Sequence, residues 1–561
     1  MENKEISRTL KLLSQLMELH NENPFKVKST ANASFKVDKL PFKLRDKSLS
    51  ELETIDGVGK STASKIWELL QNGSIEELNT LISMTPTGVL DMLSIKGLGP
   101  KKIIVIWQDL GIDNIGELYY ACNENRLIEA KGFGSKTQED IKKAIEFKMA
   151  NSGKFLYASI EQYALNYQQQ LHQHFQQLDS FTNTIITGDL RRKCEIIESL
   201  DILVISNNYP KLRDSFNQPE NIENIITQED SITFKDQNQL AVNIYFCRHE
   251  NAGSRLFETT GNAKHVTIIQ QMLKPGNFKT EEELYQSISL EYIEPELREG
   301  TNEIELAKNK RLPKLITYED LKGTLHNHST WSDGVHSIAE MAKYCRDTLK
   351  LEYLGMCDHS KTAVYANGLS IERVLQQHQE IDALNLKLAP FKIFKGIESD
   401  ILGDGSLDYP DEILEKFDFV VASVHSNLKM DEEKATQRII KAIENPYTTI
   451  LGHPTGRLLL SRSGYPLDFK KVIDACAANK VIIEINANPL RLDLDWRWHQ
   501  YALEKGVMLS INPDAHRNEG FLDMQYGVYV ARKGGLAKEM CLNCLDLEQI
   551  ESIFNSRKLQ A

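Results

Sequence analysis

The sequence predicts a multidomain protein that is α-helical at its amino end and an α/β barrel at its carboxyl end. Three observations support this prediction. The chain has 561 residues, which is too many for one hydrophobic core. Residues 1–150 contain three Gly-x-Gly turns that each precede a helical pattern. Residues 320–561 alternate short apolar runs with helical segments, as parallel strands covered by helices do.

The composition is that of an ordinary globular protein, with 41% apolar and 26% charged residues. No stretch approaches the ~18 consecutive apolar residues of a membrane helix, and the polar start MENKEISRTL does not resemble a signal peptide. The eight cysteines are scattered except for Cys541 and Cys544, and a single pair of this kind favours helix packing over a zinc site. We therefore expect a reduced, cytoplasmic protein without membrane partners.

The charge distribution gives no general attraction for DNA, because the net charge is −13. Residues 1–150 contain 21 basic and 21 acidic side chains, residues 151–320 contain 17 and 25, and residues 321–561 contain 28 and 33. No region has the positive excess that drives non-specific DNA binding. Any contact with DNA must come from local clusters.

Three similar segments predict phosphate-binding turns: IDGVGKSTASKI (55–66), IKGLGPKKIIVI (95–106) and AKGFGSKTQEDI (130–141). Two glycines allow a tight turn, and the helix that follows points free N–H groups at an anion. A plain turn between packed helices would explain one copy, but three copies with nearby lysines favour DNA. The pattern resembles the helix-hairpin-helix motif, which holds DNA phosphates without reading bases. The predicted contacts are Gly57, Gly59, Lys60, Gly97, Gly99, Lys101, Gly132, Gly134 and Lys136.

NPFKVK (23–28), followed by these hairpins, resembles the amino-terminal domain of the family X DNA polymerases. The resemblance implies a helical domain over residues 1–90 with the first hairpin, and a fingers-like region over 91–150 with the other two. It also places Lys65 where DNA polymerase beta has the lysine that forms a Schiff base with a 5′-sugar. That role requires a depressed pKa, and the alternative is a solvent-facing helix lysine.

Four segments resemble the family X catalytic core: TGDLRRKCEIIESLDILV (187–204), QLAVNIYFC (239–247), SRLFETTGNAKHV (254–266) and ELYQSISLEYIEPELREG (283–300). The resemblance implies an α+β, nucleotidyltransferase-like palm over residues 151–265 and a thumb over 266–319. Asp189 and Asn262 replace serines that cradle the triphosphate in the family. Arg191 and Arg192 are retained, either to bind phosphate or to stabilise the fold.

The same resemblance implies that the palm lacks the ligands for polymerisation. Two Mg²⁺ ions require carboxylate oxygens, yet the three ligand positions hold Ser199, Asp201 and Asn243. A substitute pair of Glu198 and Asp201 is disfavoured, because side chains three residues apart on a strand face opposite sides. We expect a degenerate palm that is a scaffold or DNA-binding platform, without bound Mg²⁺ and without templated synthesis.

Seven apolar runs predict the strands of a TIM-like barrel: GTLHNHSTWSD, EYLGMCDHS, FKIFKGIESD, FDFVVASVHS, TTILGHP, VIIEINANP and VMLSINPDAH. Functional groups gather at the carboxyl ends of such strands. Six of the seven ends carry a potential ligand. A single buried histidine is usually a satisfied core residue, but this repetition predicts a polynuclear metal site. The predicted ligands are His326, His328, Asp333, His359, Glu398, His425, His453, Asp514 and His516.

LHNHSTWSDG, CDHS, GIESDI, SVHS, GHP and PDAH, in this order, resemble the polymerase-and-histidinol-phosphatase (PHP) domain over residues 320–561. The resemblance implies three divalent ions, and the mixed imidazole and carboxylate donors suit Zn²⁺, Mn²⁺ or Fe²⁺. One ion would bind His326, His328, Glu398 and Asp514, which are the predicted catalytic residues. Glu398 would bridge to a second ion held by His425 and His453. Asp333, His359 and His516 would hold the third.

Such a site suits phosphoester hydrolysis, because paired cations activate water for attack on phosphorus. Lys361, Arg457 and Arg491 follow ligand motifs and either contact the phosphate or belong to the barrel rim.

The complete order of domains resembles the bacterial PolX family, a family X polymerase fused to a PHP domain. The resemblance implies an enzyme of base-excision repair that removes nucleotides from 3′ ends and is a candidate for incision at abasic sites. We expect it to be a cytoplasmic monomer. Its partner would be gapped, nicked or 3′-recessed duplex DNA. The alternatives are a gap-filling polymerase that is still active, a small-molecule phosphatase of the histidinol phosphate type, and a non-enzymatic sensor of DNA ends.

Overall fold

A computed structural model describes the chain except for residues 116–117, 119–120, 123–126, 128–129, 131, 151–152, 217–222, 238, 461–462 and 559–561. The chain divides into two compact units, Met1–Ser152 and Gly153–Ala561. The described helices include none that combines the length and apolar character needed to cross a bilayer. The finer domain boundaries given above stay predictions.

The first unit is helical, as predicted. Its helix Asn3–Leu19 buries Ile6, Leu10, Leu13 and Met17 on one face, which is the spacing of a core-facing helix. Asn23 caps the next helix by accepting a hydrogen bond from the Phe25 N–H. The α-helices are Asn3–Leu19, Pro24–Asp38, Leu49–Leu52, Lys60–Asn72, Glu76–Ser83, Thr87–Met92, Pro100–Ile104 and Ser135–Ala150, with a π-helical turn at Val105–Asp109.

The palm is an α+β element built on a five-stranded sheet. Its strands lie in the spatial order Asn183–Ile186, Ser199–Ile205, Ala241–Cys247, Ser231–Lys235 and Glu223–Thr227. The second and third strands in this order are parallel, with Asp201 opposite Asn243. The α-helices of the palm and thumb are Tyr157–Leu178, Gly188–Arg191, Tyr209–Asp214, Ala252–Thr260, Ala263–Met272, Glu281–Ser287 and Glu303–Lys308.

The carboxyl-terminal region is a nearly closed barrel of seven parallel strands, as the sequence predicts. The strands follow chain order: Gly323–Thr324, Tyr353–Met356, Lys392–Asp400, Phe419–Ser423, Ile450–Leu451, Ile482–Asn486 and Leu509–Asn512. A bridge between Asn327 and Ala515 joins the segments that directly follow the first and last strands. The α-helices are Ile338–Asp347, Ile371–Leu388, Asp411–Leu414, Glu432–Ile443, Phe469–Asn479, His499–Glu504, Met524–Lys533 and Leu547–Lys558.

The two ends of the barrel differ in chemistry. Apolar side chains fill the amino ends of the strands, where the first residues Tyr353 and Phe419 pack in one cluster with Phe554 of the last helix. The rings of Phe419 and Phe554 stack with centroids 5.1 Å apart. Because these apolar side chains fill the amino ends of the strands, the polar groups of the barrel lie at the carboxyl ends.

The barrel and the palm are joined by buried polar contacts inside the second unit. Lys533, at the end of a barrel helix, donates to the Arg192 carbonyl oxygen at 3.2 Å and pairs with Glu299. Trp496 Nε1 donates to Glu195 Oε2 at 3.2 Å. The barrel thus packs against the segment that contains the palm arginines.

Candidate metal centre and DNA-binding elements

Glu398 lies at the centre of the polar end of the barrel and is 1% exposed. Three imidazole nitrogens approach the same carboxylate oxygen, Oε1. His425 Nε2 and His453 Nε2 each lie 3.0 Å from it, and His326 Nε2 lies 3.3 Å from it. These residues follow or belong to four different strands, so only barrel closure brings them together.

A second set of side chains surrounds Asp514 and Asp333. His328 Nε2 lies 3.1 Å from Asp514 Oδ1 and 3.6 Å from Glu398 Oε2. His516 Nε2 and His359 Nε2 lie 3.3 and 3.7 Å from Asp333 Oδ1. The structure therefore brings all nine predicted ligands into one cluster.

The ligand atoms form overlapping groups that are compact enough to share ions. Within each group the atoms lie within 4.8 Å of one another. The groups are His326, His328 and Asp514; His359, Glu398 and His425; and His328, Asp333, His359 and His516. This grouping resembles the three predicted ligand sets but assigns His328 and His359 to two groups each. The division of ligands among ions stays a prediction.

The electrostatics of the cluster favour bound positive charge. Burial alone would lower the pKa of His425, but Glu398 and Asp400 outweigh burial and raise that pKa to about 10. In the same way, Asp333 raises the pKa of His516 to about 9 against the effect of burial. Burial would raise the pKa of Glu398, yet the surrounding histidines hold it well below its usual range. The pocket attracts positive charge, which protons or metal ions supply.

Several buried polar atoms of the cluster lack hydrogen-bond geometry to any described group. They include His326 Nε2, both ring nitrogens of His328, His453 Nδ1 and Glu398 Oε2. Buried polar atoms normally have partners, because burial without one is costly. Nitrogen and oxygen atoms that converge without hydrogen bonding one another are typical of ligands around a shared cation. The residues present therefore fit a divalent metal site.

Two acidic residues that the sequence analysis did not select lie directly behind the histidines. Glu484 Oε1 lies 2.7 Å from His326 Nδ1, and Asp400 Oδ1 lies 2.5 Å from His425 Nδ1. A sequence signal existed for both. Asp400 lies two residues after Glu398 on a strand and so shares its face, and Glu484 interrupts the apolar strand VIIEIN.

A third acid, Asp358, orders the loop that contains Asp333. Its carboxylate accepts from the backbone N–H groups of Ser329 and Ser332 at 2.8 and 3.1 Å, and from both hydroxyls. Gln377 donates to it at 2.6 Å from a neighbouring helix. These bonds hold the loop in one conformation beside the histidines.

The three basic residues near the cluster have different environments. Arg457 donates to the Arg491 carbonyl oxygen at 2.9 Å and to Asp495 Oδ2 at 2.6 Å, so its guanidinium is occupied within the protein. Lys361 is exposed and lies 5.6 Å from the centroid of the Tyr409 ring. Arg491 Nε lies 3.8 Å from Asp514 Oδ2. Of the three, Arg491 is the one placed at the cluster.

The palm site differs in kind from the barrel site. Asp201 accepts from Ser199 Oγ at 3.0 Å on each carboxylate oxygen, and from Asn243 Nδ2 at 2.6 Å. Burial raises the pKa of Asp201, despite these hydrogen bonds. Glu198 pairs instead with Lys154 at 2.9 Å and is largely exposed. One carboxylate with both oxygens in use offers little to a pair of Mg²⁺ ions.

The palm arginines are held by carboxylates rather than left open for phosphate. Arg191 makes a two-bond contact with Glu281, with distances of 3.1 and 2.6 Å. Arg192 pairs with Asp189 at 2.5 Å and with Glu299 at 2.9 Å. Of the two roles left open by the sequence, this arrangement matches stabilisation of the fold.

The three glycine turns of the first unit share one geometry. The first glycine of each has a positive φ, +81° at Gly57, +90° at Gly97 and +86° at Gly132. In each turn the N–H after this glycine bonds the carbonyl oxygen three residues earlier, from Val58 to Ile55, Leu98 to Ile95 and Phe133 to Ala130. The second glycine precedes a helix, and a Cβ at Gly59, Gly99 or Gly134 would meet no atom within 4 Å. The backbone of a second molecule can therefore approach the second glycine of each turn closely.

The side chain of Lys65 is mostly buried and bound to neighbouring side chains. Its side chain is 13% exposed and pairs with Glu77 at 2.8 Å, and Nζ donates to Ser61 Oγ at 3.3 Å. Schiff-base formation needs an amine that can reach the sugar, whereas this amine is engaged by Glu77 and Ser61. The lyase role of Lys65 stays a prediction without support from this geometry.

Comparisons with known proteins agree with this organisation. Residues 1–75 match the family described as "Helix-hairpin-helix domain", and residues 89–146 match "SAM-like Helix-hairpin-helix tandem". The prediction of helix-hairpin-helix folds in the amino-terminal region is therefore confirmed.

Relatives match either the whole chain or part of it. "DNA polymerase/3'-5' exonuclease PolX" of Bacillus subtilis (strain 168) is 34% identical over 99% of this chain and 99% of its own. A probable phosphatase of Thermoanaerobacter sp. (strain X514) is 28% identical over 42% of this chain and 97% of its own. A probable phosphatase of Caldanaerobacter subterraneus subsp. tengcongensis is 39% identical over 24% of this chain and 56% of its own.

Proposed function

This chain belongs to the PolX family of DNA polymerase/3′-5′ exonucleases, and on that premise we propose a DNA-repair enzyme whose barrel hydrolyses phosphodiester bonds at 3′ ends. The palm of this chain has lost polymerisation and acts as a scaffold beside the barrel. The substrates are gapped, nicked or 3′-recessed duplexes, and the protein works as a cytoplasmic monomer. The same site is a candidate for incision at abasic sites.

One observation carries the proposal: two potential metal sites lie in one chain, and only one retains its ligands. In the barrel site, the ring nitrogens of six histidines lie close to the oxygens of three carboxylates. The palm site has one carboxylate whose oxygens are both occupied by hydrogen-bond donors. Both hydrolysis and polymerisation need several ligands that can hold paired divalent ions, and only the barrel site offers them.

Each part of the cluster has its own task. Bound divalent ions, Zn²⁺, Mn²⁺ or Fe²⁺, would supply activated water and positive charge for phosphodiester cleavage. Glu398 and Asp514 are the buried anions that hold this charge in the barrel, with His326 and His328 between them. Arg491 is positioned to contact a phosphate oxygen beside Asp514.

DNA binding is assigned to the hairpins of the first unit. Their open glycine turns allow close approach of a phosphate backbone, and Lys60, Lys101 and Lys136 add charge at the start of each following helix. A small-molecule phosphatase has no need of such turns. This feature favours a DNA substrate over a histidinol phosphate-like one.

The test is a gel assay on end-labelled 3′-recessed and gapped duplexes with Mn²⁺, with and without nucleotides. We expect shortening from the 3′ end in both cases and no lengthening. His326→Gln should abolish shortening. The matched control is His378→Gln, because His378 is a buried histidine outside the cluster that packs edge-on against Phe417.

Three results would contradict the proposal. Nucleotide-dependent lengthening would mean that the palm still polymerises. Faster hydrolysis of histidinol phosphate than of DNA would favour the phosphatase alternative. Full shortening by His326→Gln would mean that the barrel cluster is not the active site.

A further inference from the structure

We propose that Glu484 and Asp400 are positioning residues that orient the metal-binding imidazoles of His326 and His425 from behind. The inference rests on the proposed metal site but concerns how that site is held. Neither acid is among the nine predicted ligands, and each contacts the ring nitrogen that faces away from Glu398.

Glu484 is fully buried and accepts four hydrogen bonds. Its Oε1 accepts from His326 Nδ1 at 2.7 Å and from Asn512 Nδ2 at 3.1 Å. Its Oε2 accepts from the His453 backbone N–H at 2.8 Å and from Asn486 Nδ2 at 3.3 Å. Both oxygens are thus saturated by donors from four chain segments.

These bonds connect Glu484 to three of the predicted ligands. It contacts His326 through the ring and His453 through the main chain. Asn486, which donates to Glu484, also donates to Asp514 Oδ2 at 3.2 Å. Glu484 is therefore the common support of ligands that come from the first, fifth and seventh strands.

Asp400 provides a similar support for a second histidine, His425. One carboxylate oxygen contacts His425 Nδ1, and the other accepts from Thr362 Oγ1 at 2.8 Å. The Asp400 side chain is 7% exposed. Each of the two acids thus contacts Nδ1 of a histidine whose Nε2 faces Glu398.

The chemical consequence concerns the imidazole tautomer. Each acid has hydrogen-bond donors at both of its oxygens, so the geometry places a proton on the Nδ1 atom that faces it in each histidine. The lone pair of the neutral ring is then on Nε2, which faces Glu398 at 3.3 Å in His326 and 3.0 Å in His425. A metal ligand requires this lone pair, and a fixed ring loses less entropy on binding.

The test is the affinity of Glu484→Gln for Mn²⁺, measured by titration against a competing chelator without DNA. Glutamine has the same size, but its N–H₂ group replaces one acceptor oxygen and would face two donors. We expect a 10- to 100-fold loss of affinity, the range typical for lost support behind a ligand histidine. Co²⁺ substitution should also give a changed visible absorption spectrum, which reports ligand geometry directly.

Glu303→Gln is the matched control. Glu303 is a buried thumb glutamate whose Oε1 lies 2.6 Å from His265 Nδ1, so the chemical change is the same but lies outside the cluster. It should lower the melting temperature without changing Mn²⁺ affinity or the Co²⁺ spectrum. If Glu484→Gln does not fold, Asp400→Asn provides the same measurement at His425.

Unchanged Mn²⁺ affinity and an unchanged Co²⁺ spectrum in the folded variant would overturn the inference. An equal loss of affinity in Glu303→Gln would also overturn it, since the effect would then be one of general stability. Because metal binding is measured without DNA, failure of the wild-type protein to hydrolyse DNA would refute the proposed function and leave this inference standing.

Discussion

Arg491→Gln is the variant that tests most directly how the barrel contacts DNA. Arg491 Nε lies 3.8 Å from Asp514 Oδ2, and 21% of the side chain is exposed. The neighbouring Arg457 donates to the Arg491 carbonyl oxygen and so braces its main chain. The guanidinium of Arg491 is therefore held at the cluster and is accessible to a phosphate.

The expected loss follows from the kind of contact that is removed. A hydrogen bond to a charged group contributes about 1.5–3 kcal/mol. The lower value applies here because the side chain is partly exposed, and about 1.4 kcal/mol corresponds to a tenfold change in rate. We expect kcat/KM for 3′-end hydrolysis to fall about tenfold.

Metal binding should not explain this loss. A guanidinium 3.8 Å from Asp514 opposes a second positive charge at that carboxylate. Removing the guanidinium should therefore leave metal affinity unchanged or raise it. The sign of this effect separates loss of a phosphate contact from loss of metal.

The assay measures initial rates on a labelled 3′-recessed duplex at saturating Mn²⁺, together with metal content. The control is Arg497→Gln, which removes a more exposed arginine from the same segment. Asp495, the partner of Arg497, still accepts a hydrogen bond from Arg457 in this variant. A kcat/KM within twofold of wild type for Arg491→Gln would refute the reasoning. An equal fall in both variants would refute it as well.

Three further predictions concern the other parts of the chain. Lys101→Gln should weaken duplex binding, measured by fluorescence anisotropy, and reduce the slope of log affinity against log salt by about one, while an unchanged slope would exclude a phosphate contact. Asp201→Asn should leave 3′-end hydrolysis within about twofold of wild type, because the palm carboxylate is not part of the barrel site; a large loss on the gel would implicate the palm. Burial alone would raise the pKa of Glu281, but Arg298 and Arg191 outweigh burial and hold it below its usual value of 4.5. The stability that this carboxylate provides is present above pH 4.5 and is lost as the pH falls through the lower folded pKa. The urea midpoint should thus fall less steeply with acid in Glu281→Gln than in wild type, and equal slopes would contradict the assignment.

The barrel and its polar end were predictable from local patterns. Each strand is short and apolar, and the residues at or after its end are histidines or acids, as in ILGHP and FVVASVHS. The rule that functional groups gather at the carboxyl ends of barrel strands converts this pattern into a cluster. His326, Glu398 and Asp514 could therefore be selected without coordinates.

The sequence marks Glu484 and Asp400 as acids in apolar strands, but it does not show which side chains they support. Glu484 and His326 are 158 positions apart and meet at 2.7 Å only because the barrel closes. Arg191 and Glu281 are 90 positions apart, so the sequence left open whether Arg191 binds phosphate or stabilises the fold. Such pairs depend on which segments become neighbours, and an isolated segment contains no signal of this.

The sequence by itself determined the chemical capacities of this protein: a palm with one carboxylate among its three ligand positions, three glycine turns, and a barrel with nine potential ligands. The tertiary structure decided how these groups are used. In the folded chain the palm arginines form ion pairs with Glu281 and Glu299. Glu484 and Asp400 contact two of the histidines on the side away from Glu398. Residue type sets what a side chain can bind, whereas its partners are set by long-range packing.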